Sequence, residues 1–109
     1  MYIHVIRLMT PPTGFQWDPA QCDRCSETFG FTFAEVADVF EDEEFDYLRI
    51  GPMDHDGEMR YRAIGRMSWG LIVVVAYTMR GTDRRIIWAR PARKDERRAF
   101  EDHNRGGAR

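Results

Sequence analysis

No apolar run in the sequence approaches the roughly 20 residues that a helix needs to cross a bilayer, so no membrane association is expected. The opening segment MYIHVIRLMT is too short for a signal peptide and is interrupted by His4 and Arg7. A cytoplasmic setting is the expectation that follows. Cysteine is nearly absent: Cys22 and Cys25 are the only two in 109 residues. A CxxC pair can be a redox couple or half of a zinc site. Zinc would need a second pair of ligands at finger spacing, which this sequence lacks. Both cysteines fall inside a predicted helix, and plain helix residues one turn apart are the preferred reading. There is also no internal repeat, no clustered metal-ligand set and no glycine-rich phosphate loop, and no cofactor is expected.

What is present is charge, unevenly divided. The net charge of −2 hides 3 Lys/Arg against 12 Asp/Glu in residues 1–57, and 13 against 6 in residues 58–109. Such polarity points to an anionic ligand for the basic half, or to the acidic half lying against it. The length suits one domain. Residues 1–14 read as an extension or short strand built on Ile3, Val5 and Ile6, with Met9 as an alternative start. Residues 15–102 read as the single folded domain, and residues 103–109 as a flexible, polar tail.

Phe15-Gln16-Trp17 has the alternation of an edge strand. Asp18-Pro19 begins a helix, with Asp18 as cap and Pro19 at the first position, and Gly30 ends it. Thr32-Phe33-Ala34-Glu35 is a capping box, with Phe31 and Val36 as its hydrophobic staple. The acidic run Glu41–Glu44 closes this second helix. Phe45–Ile50 reads as a strand and Gly51–Gly57 as a loop. Met59–Met67 alternates, with Met59, Tyr61 and Ala63 on one face and Arg60, Arg62 and Arg66 on the other. LIVVVAYTM over residues 71–79 is apolar on both faces and is the central strand. Arg80–Asp83 is a hairpin turn, Arg84–Ala89 the last strand, and Lys94–Phe100 opens a third helix. The expected fold is α+β: an antiparallel four-stranded sheet, with an added N-terminal strand as an option, two N-terminal helices and one C-terminal helix, all packed on one face.

The pieces Trp17-Asp18-Pro19-Ala20, Gly30–Glu35, Val39–Asp42, Asp54–Arg66, Ile72–Gly81 and Arg85–Arg97, in that order and spacing, resemble the BrnT family of bacterial type II toxins. The resemblance implies a RelE-like fold and an endoribonuclease that slows growth. It also implies a BrnA-like antitoxin with a ribbon-helix-helix part, assembled as a heterotetramer that reaches operator DNA only through the antitoxin. The sequence departs from the family at Cys25-Ser26-Glu27-Thr28-Phe29-Gly30, where the family usually has Asn-Leu-x-Lys-His-Gly. Trp88 stands where a small serine is usual, and Arg93 where a helix-capping Ser or Thr is usual.

Metal-free RNA cleavage needs a base for the 2′-hydroxyl, cations for the phosphorane-like transition state and an acid for the leaving oxygen. Arginine suits the cationic role, because it stays charged and grips phosphate oxygens in pairs. The family-matched set Arg60, Arg85 and Arg90 is the candidate for that role. Arg85 and Arg90 lie five apart and face opposite ways in a regular strand, so Arg90 would have to lie beyond the strand end. His55 is the acid or base candidate, as histidine titrates near neutral pH. Glu58 is a base or an orienting partner for Arg60. Arg62, Arg66, Lys94 and Arg97 are candidate RNA contacts, and Tyr61 and Trp88 candidate stacking residues. Taken alone, each arginine and His55 reads first as a solvated residue, and Tyr61 and Trp88 as packed against helices or an antitoxin; the set Arg60, Arg85 and Arg90 together favours the functional reading. The alternative reading is a module without cleavage, which binds the antitoxin as a co-repressor or binds RNA.

Overall fold

The computed structural model describes residues 13–41 and 46–107. The expectations for a strand built on Ile3, Val5 and Ile6, for most of the acidic run and for Phe45 lie outside the described residues. β1 (Phe15–Trp17) leads into α1 (Pro19–Phe29), α2 (Phe33–Val36) and a 3₁₀ turn (Ala37–Phe40). Then come β2 (Leu48–His55), β3 (Glu58–Arg66), β4 (Ile72–Arg80), β5 (Asp83–Pro91) and α3 (Lys94–Gly107).

The helix starts follow local chemistry. The Asp18 side chain accepts from the Ala20 amide at 2.9 Å, with Pro19 at the first turn. Gly30 stops α1 in the left-handed conformation, φ 83°, which glycine enters without steric cost. Thr32 and Glu35 form the reciprocal capping box, and the staple residues Phe31 and Val36 are both fully buried. Cys22 and Cys25 are free and buried on the inner side of α1. The Cys25 thiol lies 3.7 Å from the Ala89 carbonyl, and burial, chiefly, pushes it up to about 12. A thiol held neutral in this way is a packing group and not a nucleophile.

The sheet has five strands in the order β1-β5-β4-β3-β2. The four long strands pair antiparallel in sequence, and β1 adds parallel to β5 at the edge. Three expectations are corrected. First, β2 runs on through Met53, Asp54 and His55, which pair with Arg60, Met59 and Glu58. The Gly51-Pro52 step is absorbed as a register shift, and the chain reverses at Asp56-Gly57, with φ of 52° and 83°. An Asp-Gly pair with both φ positive makes a two-residue hairpin turn. Second, the last helix continues to Gly107, through the segment expected to be a flexible tail.

Third, helices pack on both faces of the sheet. One core sets α1, α2 and the 3₁₀ turn against Phe15, Trp17, Val73, Val75, Ile86 and Ala89. The other sets Phe100 of α3 against Ile64, Ile72, Val74 and Ala92, flanked by Leu48 and Trp88. Residues of β4 alternate between the two cores, which is why its sequence is apolar without interruption. A helix on the second face needs somewhere to bury Phe100, and Ile64, Ile72 and Val74 supply it.

Gly65 lets the 3₁₀ turn approach β3: a Cβ built there would stand 2.4 Å from Val39 Cγ1. Gly65→Ala should therefore lower unfolding stability by about 1–3 kcal/mol through overpacking. Urea denaturation of the variant beside wild type checks this, and an unchanged midpoint would show that the turn can retreat.

Candidate functional site

α3 packs on its sheet face over Ile64, Ile72 and Val74, and His55, Arg62 and Arg80 elsewhere on that face are exposed. Residues directly opposite across antiparallel strands point to the same face, so the register places each side chain. Thr78 on β4 is paired with Arg60 on β3 and with Arg85 on β5; Arg85 is in turn paired with Gln16 on β1. Gln16, Arg85, Thr78 and Arg60 thus form one row across four strands. Strands lie about 4.8 Å apart, so the two arginine Cα atoms stand about 10 Å apart with Thr78 between them.

This row depends on an irregularity in β5. Ala76 pairs with Trp88 but Tyr77 pairs with Ile86, leaving Ile87 as an extra residue. The bulge reverses the parity of the strand. Without it, Ile86 would face the open side opposite Thr78, and Arg85 would face the core. With it, Ile86 is 1% exposed inside the first core. Arg85 and Arg90, five residues apart, therefore share a face although both lie within the strand. The expectation that Arg90 must lie past the strand end is corrected by this bulge.

Arg60, Arg80, Arg85, Glu58 and Thr78 line a cleft of ≈ 170 Å³. Glu58 is held by Arg80 at 3.0 Å and lies 3.5 Å from Arg60 Nε. The Thr78 hydroxyl donates to the Met59 carbonyl at 2.8 Å, which fixes it at the cleft floor. Arg85 donates to Gln16 Oε1 at 3.5 Å, and Gln16 in turn donates to Asp83 at 2.9 Å. A second hollow of ≈ 350 Å³ adjoins the cleft through Arg60 and is lined by Met53, His55, Arg62, Ala76 and Trp88. His55 is exposed at the hairpin end, 3.8 Å from Asp56. No ion pair between described residues joins these arginines to a carboxylate of the acidic half.

The other candidates lie elsewhere. Arg90 is clamped by Glu96 through two bonds of 2.7 and 2.9 Å. Those bonds, chiefly, hold the Glu96 carboxyl down at about 2 and raise Arg90 above its ordinary value. Glu96 also accepts from the Arg93 amide at 2.8 Å. It thereby supplies half of a capping box where Arg93 cannot offer a side-chain cap. Arg66 donates to the Gly70 carbonyl and lies over the Phe100 ring. Arg97 donates to the Ala92 carbonyl at 2.9 Å, while Lys94 is exposed on the first turn of α3. Tyr61 stacks on Tyr77, which borders the first core, on the face opposite the arginine row. Arg80 and Thr78 were missed in the sequence. Their even parity with Ala76 on the central strand was the available signal, masked by reading Arg80 as a turn residue. Among the described residues no group of three His, Cys, Asp or Glu is placed to hold a metal ion, and no helix is long and apolar enough to cross a membrane.

A small α+β domain with arginines rowed on one sheet face offers paired cations to an anionic ligand. The family model described as the ribonuclease toxin BrnT of type II toxin-antitoxin systems matches residues 17–96, and the chain belongs to this family. Membership implies an antitoxin as partner. The fold is similar to that of the crystal structure of the Brucella abortus ribonuclease toxin, BrnT. That similarity has a TM-score of 0.56 at 24% identity, over 73% of this chain and 96% of that one. No curated protein matches.

The Arg90–Glu96 pair predicts a pH dependence of stability. The carboxyl of Glu96 is depressed in the folded state, so its contribution is complete above pH of about 4.5 and is lost as pH falls toward 2. Glu96→Gln should therefore lose about 1–2 kcal/mol at pH 7. The difference from wild type should shrink between pH 4.5 and 2.5, as followed by urea unfolding at each pH.

Proposed function

We propose that the chain is a metal-independent endoribonuclease that arrests growth by cutting cellular RNA in the cytoplasm, on a RelE-like scaffold. The observation that carries the reading is the row Arg85-Thr78-Arg60 on an open sheet face, with Arg80 beside it. Attack of a ribose 2′-oxygen on the adjacent phosphorus breaks the bond to the 5′-oxygen and passes through a doubly charged phosphorane. Two guanidiniums flanking one cleft meet that charge from both sides, and their fork geometry favours the equatorial oxygens. Glu58 is a positioning residue, since its carboxylate lies between Arg60 and Arg80. His55, at the rim of the adjoining hollow, is the group proposed to move a proton. Arg62 extends the cationic track toward the next nucleotide.

The proposed partner is a BrnA-like ribbon-helix-helix antitoxin in a heterotetramer, through which alone the toxin reaches operator DNA. A second reading, binding of the antitoxin without cleavage, is favoured by Thr28 and Phe29 at the end of α1. Phe29 is 42% exposed and stacks on Phe31 where the family's lysine and histidine are absent.

The purified chain, freed of partner, should degrade RNA in the presence of EDTA. Arg85→Ala should lower the rate by at least about 100-fold with an unchanged melting temperature. Intact RNA after incubation with folded wild type would exclude cleavage and leave the co-repressor reading. Growth arrest on expression of wild type, relieved by Arg85→Ala, would exclude that second reading.

A further inference from the structure

The hollow beside the arginine row has a floor and a wall that the phosphate chemistry does not use. Its floor is Ala76, the smallest side chain in the row formed by Ile50, Arg62, Ala76 and Trp88. One side is Trp88. Its ring is held from beneath: it packs against the core under α3, and the Arg90 guanidinium lies 5.6 Å from its centroid. Arg90 cannot leave, because Glu96 holds it with two bonds. The other guanidinium on the ring is Arg62, 5.3 Å from the centroid. Arg62 is exposed and pairs with no carboxylate among the described residues, so it can move aside. Trp88 is thus an aromatic plate with one fixed cation and one exchangeable cation.

We infer that the ≈ 350 Å³ hollow over Ala76 is a nucleobase pocket, in which a base replaces Arg62 and stacks on Trp88. The inference rests on the ribonuclease reading for its ligand. Two features favour RNA over a protein side chain as occupant. The hollow shares Arg60 with the phosphate cleft. Its row also lies two residues along the strand from the Thr78 row, about 7 Å away, a reach that a nucleotide spans between its phosphate and its base. Base-aromatic stacking tolerates any base, so selection among bases falls to the polar rim, where His55 can donate or accept. On displacement Arg62 remains beside the bound strand, where its charge meets the next phosphate.

The test uses 2′-O-methyl tetranucleotides, whose blocked 2′-oxygen prevents cleavage, and abasic tetramers of the same backbone. Fluorescence anisotropy of labelled oligomers reads binding to the full chain. Wild type should bind the base-bearing oligomer on the order of tenfold more tightly than the abasic one. Trp88→Ala and, independently, Ala76→Leu should bring the two affinities together without changing that for the abasic oligomer, while Trp88→Phe should keep most of the preference. Arg85→Ala should weaken both oligomers alike. Equal affinity of wild type for both oligomers overturns the base pocket and leaves the phosphate row standing. If neither oligomer binds folded wild type, the ribonuclease reading falls and the pocket falls with it. Thermal melts of each variant separate lost binding from lost folding.

Discussion

One extra residue in β5 decides which side of the sheet carries the charge. Ile87 breaks the alternation, so Ile86 turns into the core while Arg85 turns out beside Thr78. The burial of Ile86 and the presentation of Arg85 are a single event. The apolar gain from Ile86 holds the bulge, and the bulge holds the arginine. A bulge at a sheet position that re-aims a side chain is a recurrent device beside functional surfaces. Here it puts Arg85 and Arg90, which alternation would separate, on one face of the sheet.

The second constraint is partial coverage of that face. α3 crosses one end of it, anchored by Phe100 and by the Arg90–Glu96 clamp. The remainder stays open, and the arginines there have few carboxylates to neutralise them. Glu58 is the exception, shared between Arg60 and Arg80. A carboxylate shared by two guanidiniums fixes both while leaving a net positive charge for an anion. Arg84, next to Arg85 in sequence, shows the contrast. On the opposite face its guanidinium lies 4.3 Å from the Phe40 centroid and donates to the Tyr47 hydroxyl. Adjacent residues of one type thus serve packing on one side and line a cleft on the other.

Much of the scaffold was legible in the residues themselves. The caps at Asp18 and Thr32, the stop at Gly30 and the two-sided central strand are local signals, written within four or five positions, and the structure has each of them. The strand continuing past Gly51-Pro52 was not legible, because a glycine-proline pair reads as a break unless the partner strand is known to absorb the shift. The placement of α3 was likewise hidden. Its amphipathic sequence demands a partner for Phe100, but either face of a two-sided sheet could have met that demand.

The sequence alone determined most element types, the helix starts, the charge asymmetry and the resemblance to a toxin family, because these depend on near neighbours and on composition. Tertiary structure decided which arginines meet. Arg60 and Arg85 come from strands that are not adjacent, and their common face follows from cross-strand register and from a bulge. Neither is encoded at a fixed sequence spacing. Register is settled by the burial of Ile64, Val74 and Ile86 across three strands at once, so only the assembled sheet could say where the charge would stand.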